Sequence, residues 1–117
     1  MTLTLLALLL VAMPGFAQDM HQKGDFQANV NSEGWTLNSG SGQRSHIVYV
    51  KFADTFKEKP AVMLSLTAYD GAAGKDGNIR ISVKAENISR DGFVIRVATW
   101  GDSRVTGVDG SWVAFGK

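Results

Sequence analysis

From Gln18 onward several windows carry apolar residues at every second position, and none sustains the 3.6-residue period of an amphipathic helix. Successive side chains of a strand point to opposite faces, so this period belongs to half-buried β-strands. Ile79 to Glu86 is the cleanest case, with Ile79, Ile81, Val83 and Ala85 inward and Arg80, Ser82, Lys84 and Glu86 outward. Phe93 to Thr99 sets Phe93, Ile95, Val97 and Thr99 against Val94, Arg96, Ala98 and Trp100. Arg44 to Phe52 sets His46, Val48, Val50 and Phe52 against Ile47, Tyr49 and Lys51, and in Ala61 to Asp70 Val62, Leu64 and Leu66 share one face. Asp25 to Val30 and Ser111 to Phe115 read as two shorter strands. The segments between them, Asn38 to Gly42, Asp70 to Gly77, Asn87 to Gly92 and Gly101 to Gly110, read as loops from their Gly, Asn, Asp and Ser content. Six short strands so spaced predict an all-β fold, a six-stranded antiparallel β-sandwich.

The first seventeen residues stand apart. Met1 to Ala17 carry no charge, and Leu3 to Ala12 form an apolar run followed by Met13-Pro14-Gly15 and small residues at Gly15 and Ala17. The run is too short to span a membrane, which takes about 20 apolar residues. It reads as a signal peptide cleaved after Ala17, which implies a secreted or periplasmic protein with no membrane span. Of the 117 residues, about 100 then remain for folding, enough for one core and too few for two domains. The division is 1–17 signal peptide, 18–43 N-terminal segment with one short strand and a loop, and 44–116 β-sandwich domain. His21 falls in the N-terminal segment, which reads as frayed.

Charge and cysteine content narrow the function. Twelve Lys and Arg against eleven Asp and Glu leave a net charge of +1, without the basic excess that nucleic acid requires. With no cysteine, thiol chemistry, Cys-based zinc sites, disulfides and a lipid anchor are all excluded. No cofactor is implied. Hydrolysis by paired carboxylates would rest on Asp70, Asp76 and Asp102, all in loops. A serine nucleophile would rest on His46 without a G-x-S-x-G elbow. The expectation is a non-enzyme. A small disulfide-free domain also gains from burying surface between copies, and Tyr49, Met63, Val94, Val113 and Phe115 lie opposite the clearest core positions. An oligomer is expected on that ground, a second inter-sheet core being the alternative.

Arg44, Val50 and Phe52, then Phe56 and Pro60, LSLTAYD ending at Asp70, NIR at Asn78 to Arg80, AENIS with Gly92-Phe93, TWGDSRV at Thr99 to Val105 and SWVA at Ser111 to Ala114 follow one another in a recognisable order. The stretch Arg44 to Phe115 resembles the H-type lectin domain, known from snail agglutinins and the C-terminal domains of slime-mould discoidins. The resemblance implies a trimer, in some assemblies paired into a hexamer, with metal-free sites for galactose and N-acetylgalactosamine-type glycans between neighbouring subunits. It implies a secreted carbohydrate-binding lectin active in adhesion. The alternative is a trimeric structural or adhesion module on the same scaffold that binds no sugar.

By resemblance the sugar-binding residues are Arg80 and Trp100, with Gly101, Ser41 and Gln43 beside them. Arginine makes two parallel bonds to vicinal hydroxyls, and an aromatic ring stacks on the apolar face of a sugar. Arg80 can instead pair with Asp70 or Asp76, and Trp100 can instead pack in the core or belong to a subunit interface. Gly101 departs from members with a histidine after this tryptophan. Ser41 and Gln43 stand in a loop where members place an acidic residue, and as neutral groups they accept weaker hydrogen bonds. Asp102 and Arg104 are expected to pair with each other or across a subunit boundary, shaping the loop. Trp112 is assigned to core or interface, His46 to structure, and Asn87-Ile88-Ser89 has the form of a glycosylation sequon.

Overall fold

The computed structural model describes residues 19–117, so the expected signal peptide lies outside the described residues. The chain forms β1 (Met20–Asn29), β2 (Arg44–Lys51), β3 (Ala61–Ala72), β4 (Ser82–Glu86), β5 (Gly92–Thr99) and β6 (Arg104–Gly116). All pairings are antiparallel, in two three-stranded sheets of order β1-β6-β3 and β2-β5-β4. The six-stranded antiparallel sandwich expected from the alternation is the fold observed. Among the described residues, no helix is long and apolar enough to cross a membrane.

The inner faces meet as the periodicity requires. Phe93, Ile95 and Val97 of β5 bury against Val108, Trp112 and Ala114 of β6, and Phe52 and Phe56 close one end. Trp112 stands edge-on to Phe93 at 5.5 Å between ring centroids and 5.8 Å from Phe52, which settles it in the core. Such tilted and edge-on pairs suit the ring quadrupoles.

Strand bounds depart furthest from those expected at three places. β6 begins at Arg104, not Ser111, because its glycines serve packing: the Phe26 ring lies where a Gly110 side chain would project, and Asn29 crowds Gly107. β1 begins at Met20, since Gly24 makes room for the Trp112 indole and lets the strand pair with β6 from Met20↔Gly116 to Asn29↔Gly107. His21 therefore sits in the ladder opposite Phe115 and is not frayed, and the segment 18–43 contributes a full strand to the sandwich. β4 begins only at Ser82, leaving Ile79 exposed instead of inward, for a reason that lies in the site.

The five residues read as a surplus apolar face divide between the sheets. Met63 and Val113 are cross-strand neighbours on the outer face of β1-β6-β3, one row from Phe115, and all three are exposed. Tyr49 lies on the other sheet and is 80% exposed. Val94 is a correction: on the central strand between Tyr49 and Glu86, it is buried within its own chain.

Candidate functional site

Three loops meet beyond the Thr99 end of β5, and Arg80 is where they converge. The turn from Gly74 to Gly77 closes through Gly77 N–H donating to the Gly74 carbonyl at 2.9 Å, with Gly77 at a φ of 80° that glycine adopts without penalty. Asp76 in this turn caps the next residues, its Oδ1 accepting the Asn78 N–H at 2.9 Å. The carboxylate then meets the Arg80 guanidinium in a fork, Nη2 to Oδ2 at 2.6 Å and Nη1 to Oδ1 at 3.2 Å. The guanidinium, hydrogen-bonded to the carboxylate, holds the Asp76 carboxyl well below the usual carboxylate range. Asp70 is not the partner; of the two pairings open to Arg80 within its own chain, the Asp76 one forms.

The backbone of Arg80 is held by side chains instead of a strand ladder. Its N–H donates to Ser103 Oγ at 3.1 Å, and its carbonyl accepts from Thr99 Oγ1 at 2.6 Å. Ser103 Oγ in turn donates to the Asn78 carbonyl at 3.0 Å. Thr99 and Ser103 are completely buried. These bonds take the place of pairing with β5, which is why β4 starts two residues later.

Arg44 ties the other two loops together. Its Nε donates to the Gly42 carbonyl at 2.9 Å and Nη1 to the Ser39 carbonyl at 2.7 Å. Nη2 reaches the carbonyls of Gly101 at 3.0 Å and Ser103 at 2.9 Å. The Gly42 N–H adds a bond to the Gly101 carbonyl at 2.8 Å. The Ser39–Gln43 loop is thereby docked on the Trp100–Ser103 loop. Gly101 has φ of 66°, and a Cβ there would lie 3.5 Å from Arg80 Cδ and Nη1. The Arg80 side chain thus lies directly against Gly101.

The residues expected at the site are accordingly gathered at one end of the molecule. Arg80 touches Gly101, Trp100 precedes it with 40% of its surface exposed, and Ser41 and Gln43 are exposed on the docked loop. The side chains of Ser41 and Gln43 form no hydrogen bond among the described residues. Asp102 does not pair with Arg104: its Oδ2 accepts the Lys75 N–H at 2.9 Å, fastening the Asp76 turn to the same loop. His46 packs on Trp35 at 5.0 Å between centroids, a structural role as expected. The sequence reading passed over Asp76 as a site residue and over Thr99 and Ser103 as its supports. The signal was present in Asp76, four residues before an arginine across a Gly-flanked turn.

An exposed aromatic ring, a guanidinium and a carboxylate on one braced loop cluster make a surface that can stack on a pyranose and exchange hydrogen bonds with its hydroxyls. Among the described residues no group of His, Cys, Asp or Glu could hold a metal ion. Comparison with known proteins bears on the same segment: residues 47–115 match the model of the H-type lectin domain. The chain belongs to the H-type lectin family. This lectin domain is 35% identical over 79 residues to discoidin-2 of Dictyostelium discoideum, covering 68% of the chain and 30% of discoidin-2. It is 32% identical over 103 residues to a Fuscovulum blasticum protein named ATP synthase subunits region ORF 7, covering 88% of each. The structure of recombinant discoidin II superposes with a TM-score of 0.75 at 29% identity, covering 85% of this chain and 37% of discoidin II. The chain thus spans about a third of the discoidins it matches, and most of the Fuscovulum relative. Lectin identity makes it a carbohydrate-binding domain.

Proposed function

We propose that the chain is a secreted lectin that binds galactose or N-acetylgalactosamine-type glycans at the Arg80 loop cluster, acts in adhesion without catalysis, and works as a homotrimer with these sites between subunits. The observation that carries the reading is the Arg80–Asp76 fork braced against Gly101. It offers a fixed donor and a fixed anionic acceptor side by side, against the Gly101 that follows the partly exposed Trp100. Asp76 supplies the negative acceptor that the Ser41 and Gln43 loop lacks. Galactose-type sugars present vicinal hydroxyls on one face and an apolar patch on the other, and this pairing of groups answers both. Support for assembly comes from Met63, Val113 and Phe115, which a soluble monomer would leave in water. Three linked sites would raise avidity through effective concentration alone.

One reading competes, a trimeric module without sugar binding, because the fork already satisfies part of the Arg80 guanidinium. A multivalent glycan array separates the two. The lectin reading expects retention on galactose and N-acetylgalactosamine glycans that drops to background in Trp100→Ala. A folded wild-type protein that retains no glycan would decide for the module.

A further inference from the structure

Tyr49, at 80% exposure, is the most exposed aromatic residue among the described residues, and the Arg80 cluster does not use it. It lies far from that cluster, because β2 pairs Arg44 with Thr99 at one end and Lys51 with Gly92 at the other. Seven residue steps of extended chain separate the ends by about 23 Å. A shallow, open recess of about 400 Å³ lies beside Tyr49, its lining including Val94, Lys51, Asn87, Ser89 and Asp91.

The rim is rigid. Ser89 N–H and Oγ both donate to the Gly92 carbonyl, at 2.9 and 3.1 Å, and Ser89 Oγ accepts the Asp91 N–H at 3.2 Å. Phe52 N–H donates to the Asp91 carbonyl at 2.8 Å, fixing the loop to the end of β2. Thr55 Oγ1 donates to Asp91 Oδ1 at 3.0 Å, which orients the carboxylate and leaves Oδ2 without a partner among the described residues. Lys51 takes part in neither of the two ion pairs found among those residues. Asn87 is the one non-glycine residue there with a left-handed backbone, at φ of 51°.

We propose that this recess is a second carbohydrate-binding site, taking one neutral pyranose stacked on Tyr49, with Asp91 Oδ2, the Asn87 amide and the Lys51 ammonium meeting its hydroxyls. The mixed rim selects this ligand class. One cation and one anion give no net charge to recruit a phosphate or a metal ion, and an apolar peptide would strip water from four polar side chains to gain one ring and one valine. A pyranose has an apolar face for the ring and hydroxyls that both donate and accept. The recess lies within the size range of small-molecule sites, about 300–1,000 Å³. The inference rests on the lectin reading for its ligand class and is independent of the Arg80 cluster. Sites at both ends of the β2-β5-β4 sheet would let one chain bridge two glycans.

The test is an amide chemical-shift titration of the Arg80→Ala, Trp100→Ala double variant with galactose, N-acetylgalactosamine, glucose and mannose in turn. Saturable shifts confined to residues 49–51 and 87–94 are expected with at least one sugar. They should weaken about tenfold or more in the same background carrying Tyr49→Ala, and also in Asp91→Asn, which spares the ring. Absence of saturable shifts there with all four sugars overturns the proposal, as does an unchanged response after Tyr49→Ala. In the wild type, shifts at 76–80 and 100–103 without shifts at 87–94 sustain the Arg80 site and sink this one; the reverse pattern does the opposite.

Discussion

Asp76 grips Arg80 through both carboxylate oxygens, the shorter contact being 2.6 Å, so the anion and the cation of the site are a single preorganised unit. Their coupling sets a pH signature. The carboxyl of Asp76 is depressed in the folded chain, so its contribution is present above the unfolded carboxylate value of about 3.9 and is lost only as pH falls below it. Arg80 keeps its charge throughout. Galactoside affinity is therefore expected to stay level from pH 8 down to about pH 4. Asp76→Asn should weaken binding about tenfold at every pH in that range, with little change in melting temperature because the pair is solvent-exposed. Affinity measured against pH for both proteins checks this; a fall centred near pH 6 would point to a histidine instead.

Arg44 holds four backbone carbonyls from two loops, a geometry that a planar fork satisfies and a point charge does not. Arg44→Lys is expected to cost about 2 kcal/mol in stability. It should also speed proteolysis within Ser39–Gly42. Denaturant unfolding and limited digestion measure the two effects, and an unchanged digestion rate would show that the loop is held by something else.

Thr99 and Ser103 are the completely buried polar residues of the described chain, and both serve the backbone of Arg80. Thr99→Val removes the donor to the Arg80 carbonyl. Ser103→Ala leaves the Arg80 N–H unpaired and takes from the Asn78 carbonyl one of its two donors, the Gly74 N–H remaining. Each is expected to cost about 1–3 kcal/mol, the penalty of an unmet buried polar group. Both should also weaken sugar binding without touching the ligand. Stability loss with undiminished affinity would separate these residues from the site.

Met63 and Val113 face each other across β3 and β6 on an outer surface. If the trimer is built there, Met63→Glu should yield monomers by light scattering, with the β-sheet circular dichroism retained. A native-size assembly in that variant would move the interface elsewhere.

The strands were legible where alternation is undiluted, as in β2 and β5, because a two-residue period admits no helix. They were illegible where glycine is a packing residue: Gly107 and Gly110 read as a loop until Asn29 and Phe26 are seen to occupy the space of their missing side chains. Resemblance brought Arg80, Trp100 and Gly101 into one group, and Gly101 against Arg80 is what the fold delivers. Asp76 escaped as a site residue because its aim depends on a turn closed by Gly77, and Thr99 because its period-2 inward position hides a hydrogen bond to a residue on another loop. Val94 misled by parity alone, since a central-strand residue can be covered by its lateral neighbours.

A galactose-type sugar held at the Arg80 loop cluster would perturb the backbone amides around it. An amide chemical-shift titration of the wild-type protein with N-acetylgalactosamine tests it most directly. The expected result is saturable shifts at Gly77, Asn78, Arg80, Gly101 and Asp102, abolished by Arg80→Ala while the remaining spectrum is preserved. A saturating titration that leaves those five amides unmoved would contradict it.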